Sequence, residues 1–265
     1  MLEEILDKVF INQTAVLLIV TGLLLALAEF GYHTGLAARR RNADAAEGLS
    51  GAAQGAVLGL LGLLLGFSFA LAVGRYDARR ALAVEEANAI GTTWLRADFL
   101  PEHHARAVRN LLRTYTEDRL KGATMTDNKE AFARVLADAQ GIHAELWRHA
   151  VESAHEQPSP ITATFIGTLN ETIDLHSDRL AAMRNRVPAA VWLLLLVVSG
   201  CGAWANGHGS GAKGHRSLFN QIVFPVLIGI VITLITDIDS PRKGLISVSQ
   251  QPLQDLLETM PPPEP

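Results

Sequence analysis

This chain is poorest in the features that usually announce a catalytic or secreted protein. Cys201 is its single cysteine, so no internal disulfide is possible and the redox compartment stays open. Strand-like alternation is missing, as are sequence repeats and any glycine-rich phosphate loop following a strand. Nine histidines are present, yet none form a His-x3-His or HExxH pattern. His103 and His104 are adjacent and diverge by about 100° on a helix. Glu145, His149 and Glu152 share a face but equally suit a solvated one. No metal site and no cofactor are expected. The net charge of −4 is spread along the chain, which gives no case for nucleic acid.

What the chain does have is apolar sequence gathered into runs. Hydrophobic residues make up 49% of its 265 positions, and the mean hydropathy is +0.20. A bilayer core of about 30 Å takes roughly 20 apolar residues of helix. Runs 14–30, 52–74, 187–205 and 217–236 qualify, which makes membrane lipid the first expected partner. Ala26-Leu27-Ala28 could be read as a signal-peptidase site, but the preceding MLEEILDKVF is net acidic where a signal peptide wants a basic start.

The runs pair two and two around a middle rich in Ala, Leu, Glu and Arg that reads as helix almost throughout. Its punctuation is local: Pro101 as a first-turn proline, Asp127 with Glu130 as a capping box, and Ser159 capping a helix opened by Pro160. Helical segments are expected over 75–98, 101–121, 128–155 and 160–186. The expected organisation is an N-terminal transmembrane hairpin (1–74), a cytosolic helical region (75–186), a C-terminal hairpin (187–236) and a cytosolic tail (237–265). Lysine and arginine near the span ends set the orientation. Lys8, Arg75, Arg79, Arg80, Arg179, Arg184, Arg186, Arg242 and Lys243 outnumber the other side's Arg39, Arg40, Arg41, Lys213 and Arg216. Both termini and the middle region are therefore expected in the cytoplasm, against the pull of the triple-arginine run.

The second span enters charged sequence, LLLGFSFALAVGRYDARR, with no proline and no stop signal. Drawn as one helix, it places Gly59, Leu60, Leu63, Phe67 and Leu71 in one sector, with Leu58, Leu65 and Phe69 opposite. A stripe of Gly55, Gly62 and Gly66 between them suits the close approach of another helix. Continued past Gly74, the Phe67 sector presents Ala78, Ala81, Glu85, Asn88, Thr92 and Arg96. A face that is apolar at membrane depth and polar beyond it suits a pore helix opening into a vestibule. It also suits any membrane helix that projects into water, with Arg75, Arg79 and Arg80 as interface anchors.

The segments GFSFALAVGRYDARRALAVEEANAIGTTWLRADFLP and TDIDSPRKGLISVSQQPLQDLL resemble the bacterial membrane family identified as bestrophin-like, and more remotely the bestrophin channels. The specific matches are Leu65-Gly66-Phe67, Arg75-Tyr76-Asp77 with Arg79 and Arg80, and 237–253. The resemblance implies an all-α membrane protein assembled as a homo-oligomer, a pentamer by family precedent, that passes small inorganic ions. Its pore would be lined by the second span. Carried over, the family's neck falls on Phe67, Leu63 and Gly59, of which Gly59 departs from the bulky pattern. Glu85, Asn88 and Thr92 would line the vestibule. Ser68 stands where bestrophins usually carry a basic residue, which weakens any inference of ion selectivity. Animal bestrophins hold calcium with an acidic cluster after the last span. Asp237 and Asp239 occupy a comparable place, but two carboxylates are too few for the six to eight oxygens of a calcium site. Ending the span and docking the tail is their expected role.

The leading expectation is an ion channel of the cell membrane; the alternative is a non-conducting scaffold or sensor whose cytosolic helices bind a partner. Enzymatic activity is not expected. Glu85 and Glu86 diverge on a helix and cannot readily share a substrate. Glu29, near a run end, can reach headgroups. Asn206 to Gly211 is expected to be a flexible turn, Trp94 and Trp147 to pack between helices, and Trp192 and Trp204 to sit at the membrane interface.

Overall fold

A computed structural model describes residues 13–41, 51–125, 129–241 and 244–262. Lys8, Asp127, Arg242 and Lys243, used above for orientation and capping, lie outside the described residues. The described residues are mostly helical, without strands. In chain order they form α1 (Gln13–Arg41), α2 (Gly51–Arg96), a 3-10 turn (Ala97–Phe99), α3 (Glu102–Thr124), α4 (Lys129–Glu156) and α5 (Pro160–Arg184). There follow α6 (Ala189–Lys213), a π-helical turn (Phe219–Val223), α7 (Phe224–Asp239) and α8 (Gln251–Thr259). Among these residues, four helical stretches are long and apolar enough to cross a membrane.

The ends follow from local chemistry. Ser159 Oγ accepts from the Thr162 N–H at 3.0 Å, and Pro160 opens α5. Pro101 takes the N-cap position of α3, one residue before the first-turn place expected for it. Gly214, at φ 78°, closes α6 in the left-handed region that glycine enters without strain. The π-helical turn stands directly before α7, where Pro225 offers no N–H to a regular ladder.

The chain divides into two compact units. The first comprises residues 1–75 and 186–247 and is built on α1, α6, α7 and the N-terminal part of α2. Its core is Val16, Val20, Leu24 and Ala28 of α1 with Ala203 of α6 and Ile232 of α7. The second comprises 76–185 and 248–265 and is built on α3, α4, α5, α8 and the C-terminal part of α2. There Ile90, Leu112, Tyr115, Leu146, Phe165 and Leu169 pack with Leu253 of α8 and Met260. The Arg113 guanidinium donates to the Met260 and Pro261 carbonyls. The C-terminal helix is thus part of the second unit's core.

One expectation is corrected. Residues Asn206 to Gly211 are not a turn but the buried last turns of α6. Gly31 and Gly35 of α1 face the carbonyls of Trp204 and His208, while Gly207 and Gly211 of α6 face those of Ala28 and Tyr32. A Cβ at any of these four positions would collide with backbone, so the glycines allow two helices to touch main chain to main chain. Conversely, Gly55, Gly62 and Gly66 meet nothing within 4 Å; no described part of this chain packs on that stripe.

Candidate functional site

The helix α2 runs unbroken from Gly51 to Arg96, through the apolar-to-charged junction. Helix continuity there needs no special residue: 51–96 contains no proline, and its glycines sit among strong helix formers. Within the first unit, Gly59, Leu63 and Phe67 are exposed, Phe67 by 61% and Leu63 by 53%. Leu61, Ser68 and Ala72, turned about 100° to 140° from Phe67 on the wheel, are buried. Ser68, at the position where a basic residue would bear on selectivity, therefore does not share the Phe67 face. Within the second unit, Glu85 and Asn88 are exposed and Thr92 is half-buried, its hydroxyl donating to the Asn88 carbonyl at 2.8 Å.

Glu86 points about 100° away from Glu85 on the helix and is fully buried. It lies beyond the apolar segment of α2, which ends at Gly74. Its Oε1 accepts from Arg119 Nε at 2.9 Å and from the Tyr115 hydroxyl at 2.8 Å; Oε2 accepts from Arg119 Nη2 at 3.2 Å and from Arg179 Nη1. Tyr115 has one proton and gives it to Glu86, so His176 Nδ1, 2.9 Å from the phenol oxygen, must be the donor there. Burial alone would push the Glu86 carboxyl up; the guanidiniums of Arg119 and Arg179 outweigh it and hold the group at about 2. Burial, with Arg119 and His143 beside it, lowers His176 to about 4 and keeps it neutral. Arg179 also reaches Gln250 Oε1 at 3.1 Å, joining the residue that precedes α8. One carboxylate thereby links α2, α3 and α5. Arg79 and Arg179, both counted toward orientation from the sequence, are buried and so do not project as interface anchors.

The aspartates after the last span are occupied by backbone. Asp237 accepts from the Leu245 and Ile246 N–H groups at 2.9 Å each, and Asp239 from the Val187 N–H at 3.1 Å. Asp237 docks the start of the tail, as expected, whereas Asp239 fastens the entry to α6, a partner the sequence reading did not name. Just past the middle of α1, Glu29 pairs with Arg216 at 2.7 Å, and Arg216 stacks over the Tyr32 ring.

A second set of polar groups gathers where α3 begins and α4 ends. His103 and His104, on successive positions of α3, both lie beside Glu156 of α4, and His104 also meets His149. Sequence spacing could not show this grouping, because its members come from two helices. A cleft of about 410 Å3 adjoins it, lined by Trp94, His103, Arg106, Arg109, Pro261 and Pro262 among others. Arg109 lies over the Trp94 ring and pairs with Asp98.

Four apolar spans and a helical unit closed by a buried ion network define a multi-pass helical membrane protein. The Bestrophin-like domain family matches residues 20–253, and the chain belongs to that family. No curated protein matches it. Among solved structures, a bacterial bestrophin homologue from Klebsiella pneumoniae is similar with a TM-score of 0.65 at 14% identity, over 90% of this chain and 98% of that one. A substituted form of the same homologue gives 0.65 at 15% identity, over 91% and 96%. A structure described only as a membrane protein gives 0.65 at 13%, over 89% and 98%. At these identities the likeness establishes the fold.

Proposed function

We propose that the chain is one subunit of an oligomeric ion channel, conducting passively through a pore lined by α2. The observation that carries this reading is the asymmetry of the helix in the first unit. Leu61, Ser68 and Ala72 are buried within the chain, whereas Gly59, Leu63 and Phe67 are open to a further partner. In a homo-oligomer, five by family precedent, that open face meets its own copies and forms stacked apolar rings that resist wetting. Glu85, Asn88 and Thr92 then line the polar vestibule for small inorganic ions. The channel sits in the cell membrane, and the lysine and arginine bias supports placing both termini and residues 75–186 on the cytoplasmic side.

Purified protein in planar bilayers tests this reading. The double variant Leu63→Ala with Phe67→Ala should conduct more than the parent, because a wider and less apolar ring wets more readily. A parent and a double variant that are both silent across voltage, pH and salt would sink the channel. A dimer in which Phe67 is covered would instead support the scaffold or sensor.

A further inference from the structure

We propose that His103, His104 and Glu156 form a divalent transition-metal site of the zinc type, within the second unit and separate from the α2 face. His104 is buried at 2% exposure, and its Nε2 makes no hydrogen bond. Glu156 Oε1 lies 3.4 Å from that nitrogen and 3.5 Å from His103 Nε2. Those separations are long for hydrogen bonds. They do match the edges of a tetrahedron: metal-ligand bonds of about 2.0 to 2.1 Å place neighbouring ligand atoms about 3.3 to 3.4 Å apart. All three donor atoms lie within 4.8 Å of one another, so one ion can reach them with small side-chain adjustments.

The two sides of the His104 ring have different tasks. Nδ1 sits 2.9 Å from His149 Nδ1, and a proton held there leaves Nε2 with the lone pair that a metal needs. His149 is thus an orienting partner behind the ligand. Glu152, close to this second corner, is held through both oxygens by Arg148 at 3.0 Å, and Glu145 holds the same guanidinium at 2.7 Å. Arg148 therefore keeps its carboxylate partners when His149 turns its acceptor to His104. Half-exposed Glu156 and more exposed His103 leave the ion open to solvent, with water completing the shell. Two imidazoles and a single carboxylate favour zinc, cobalt or nickel over calcium and magnesium, which want oxygen. Binding would pin the first turn of α3 to the last turns of α4.

Full-length protein in detergent, stripped with a chelator, is titrated with Zn2+ by calorimetry, and Co2+ binding is followed by visible absorption. One Zn2+ per chain and an intense, tetrahedral-type Co2+ spectrum are expected, with neither displaced by excess Ca2+ or Mg2+. Glu156→Gln and His103→Asn, both at exposed positions, should abolish the spectrum while the thermal melt of the metal-free protein stays unchanged. His149→Ala should weaken Zn2+ binding about tenfold, the effect of losing an orienting partner. Binding that is absent, or that survives Glu156→Gln and His103→Asn unchanged, overturns the proposal. Calorimetry and the Co2+ spectrum do not require conduction, so the result stands apart from the bilayer experiment.

Discussion

The two units hold their helices together by opposite chemistries. In the first, α1 and α6 meet through Gly31, Gly35, Gly207 and Gly211, with carbonyls lying where a side chain would stand. In the second, Glu86 is sunk among Arg119, Arg179 and Tyr115 beneath a conventional apolar core. Lipid supplies no hydrophobic force to press helices together, so spans associate by close backbone packing. Beyond the apolar segments water does supply that force, and a buried carboxylate survives because each oxygen has cationic partners.

The largest expected effect breaks the second arrangement. Glu86→Gln leaves two guanidiniums uncompensated in the interior and should cost about 3 to 5 kcal/mol, read as a lowered thermal midpoint in detergent. The same carboxylate gives a sign to the pH dependence. A folded value of about 2 against an ordinary 4.5 means that its contribution is whole above pH 4.5 and is lost as pH falls toward 2. His176, held near 4 against 6.5, adds an earlier loss as pH falls from 6.5 to 4. Melts recorded from pH 7 down to 3 should fall continuously in the parent, and Glu86→Gln should lack the lower part of that decline.

A smaller effect sharpens the contrast within the first unit. Gly207→Ala forces a methyl against the Ala28 carbonyl, a backbone atom that cannot swing aside, and overpacking of this kind costs about 1 to 3 kcal/mol. Gly62→Ala meets open space within the chain and should leave the monomer's melt unchanged. Equal losses from the two would show that the α1 and α6 contact has no special standing. The smallest effect is at a cap: Ser159→Ala removes the bond to Thr162 N–H and should cost about 1 kcal/mol in the same melt.

Much of the secondary structure was legible without coordinates. The expected segment 160–186 compares with an observed α5 of Pro160–Arg184, and the expected span 187–205 lies almost wholly within α6. The reading failed where glycines were taken as punctuation. Asn206 to Gly211 has the composition of a loop, yet Gly31-x3-Gly35 in α1 and Gly207-x3-Gly211 in α6 are matching small-residue spacings that could have signalled a helix contact. The separation of Glu85 from Glu86 was legible, since adjacent residues on a helix diverge. The partners of Glu86 were not, because Arg119 and Arg179 stand 33 and 93 residues away.

By itself the sequence determined most of the helices, the Ser159 cap and the apolar spans, because those depend on hydrogen bonds and hydropathy within a few turns of chain. Tertiary structure alone decided which faces are covered. The burial of Glu86, the glycine contact of α1 with α6 and the meeting of His104 with Glu156 each join residues from different helices. A local pattern can mark a contact face, as the glycine spacings do, but the partner is fixed only when packing chooses the neighbours.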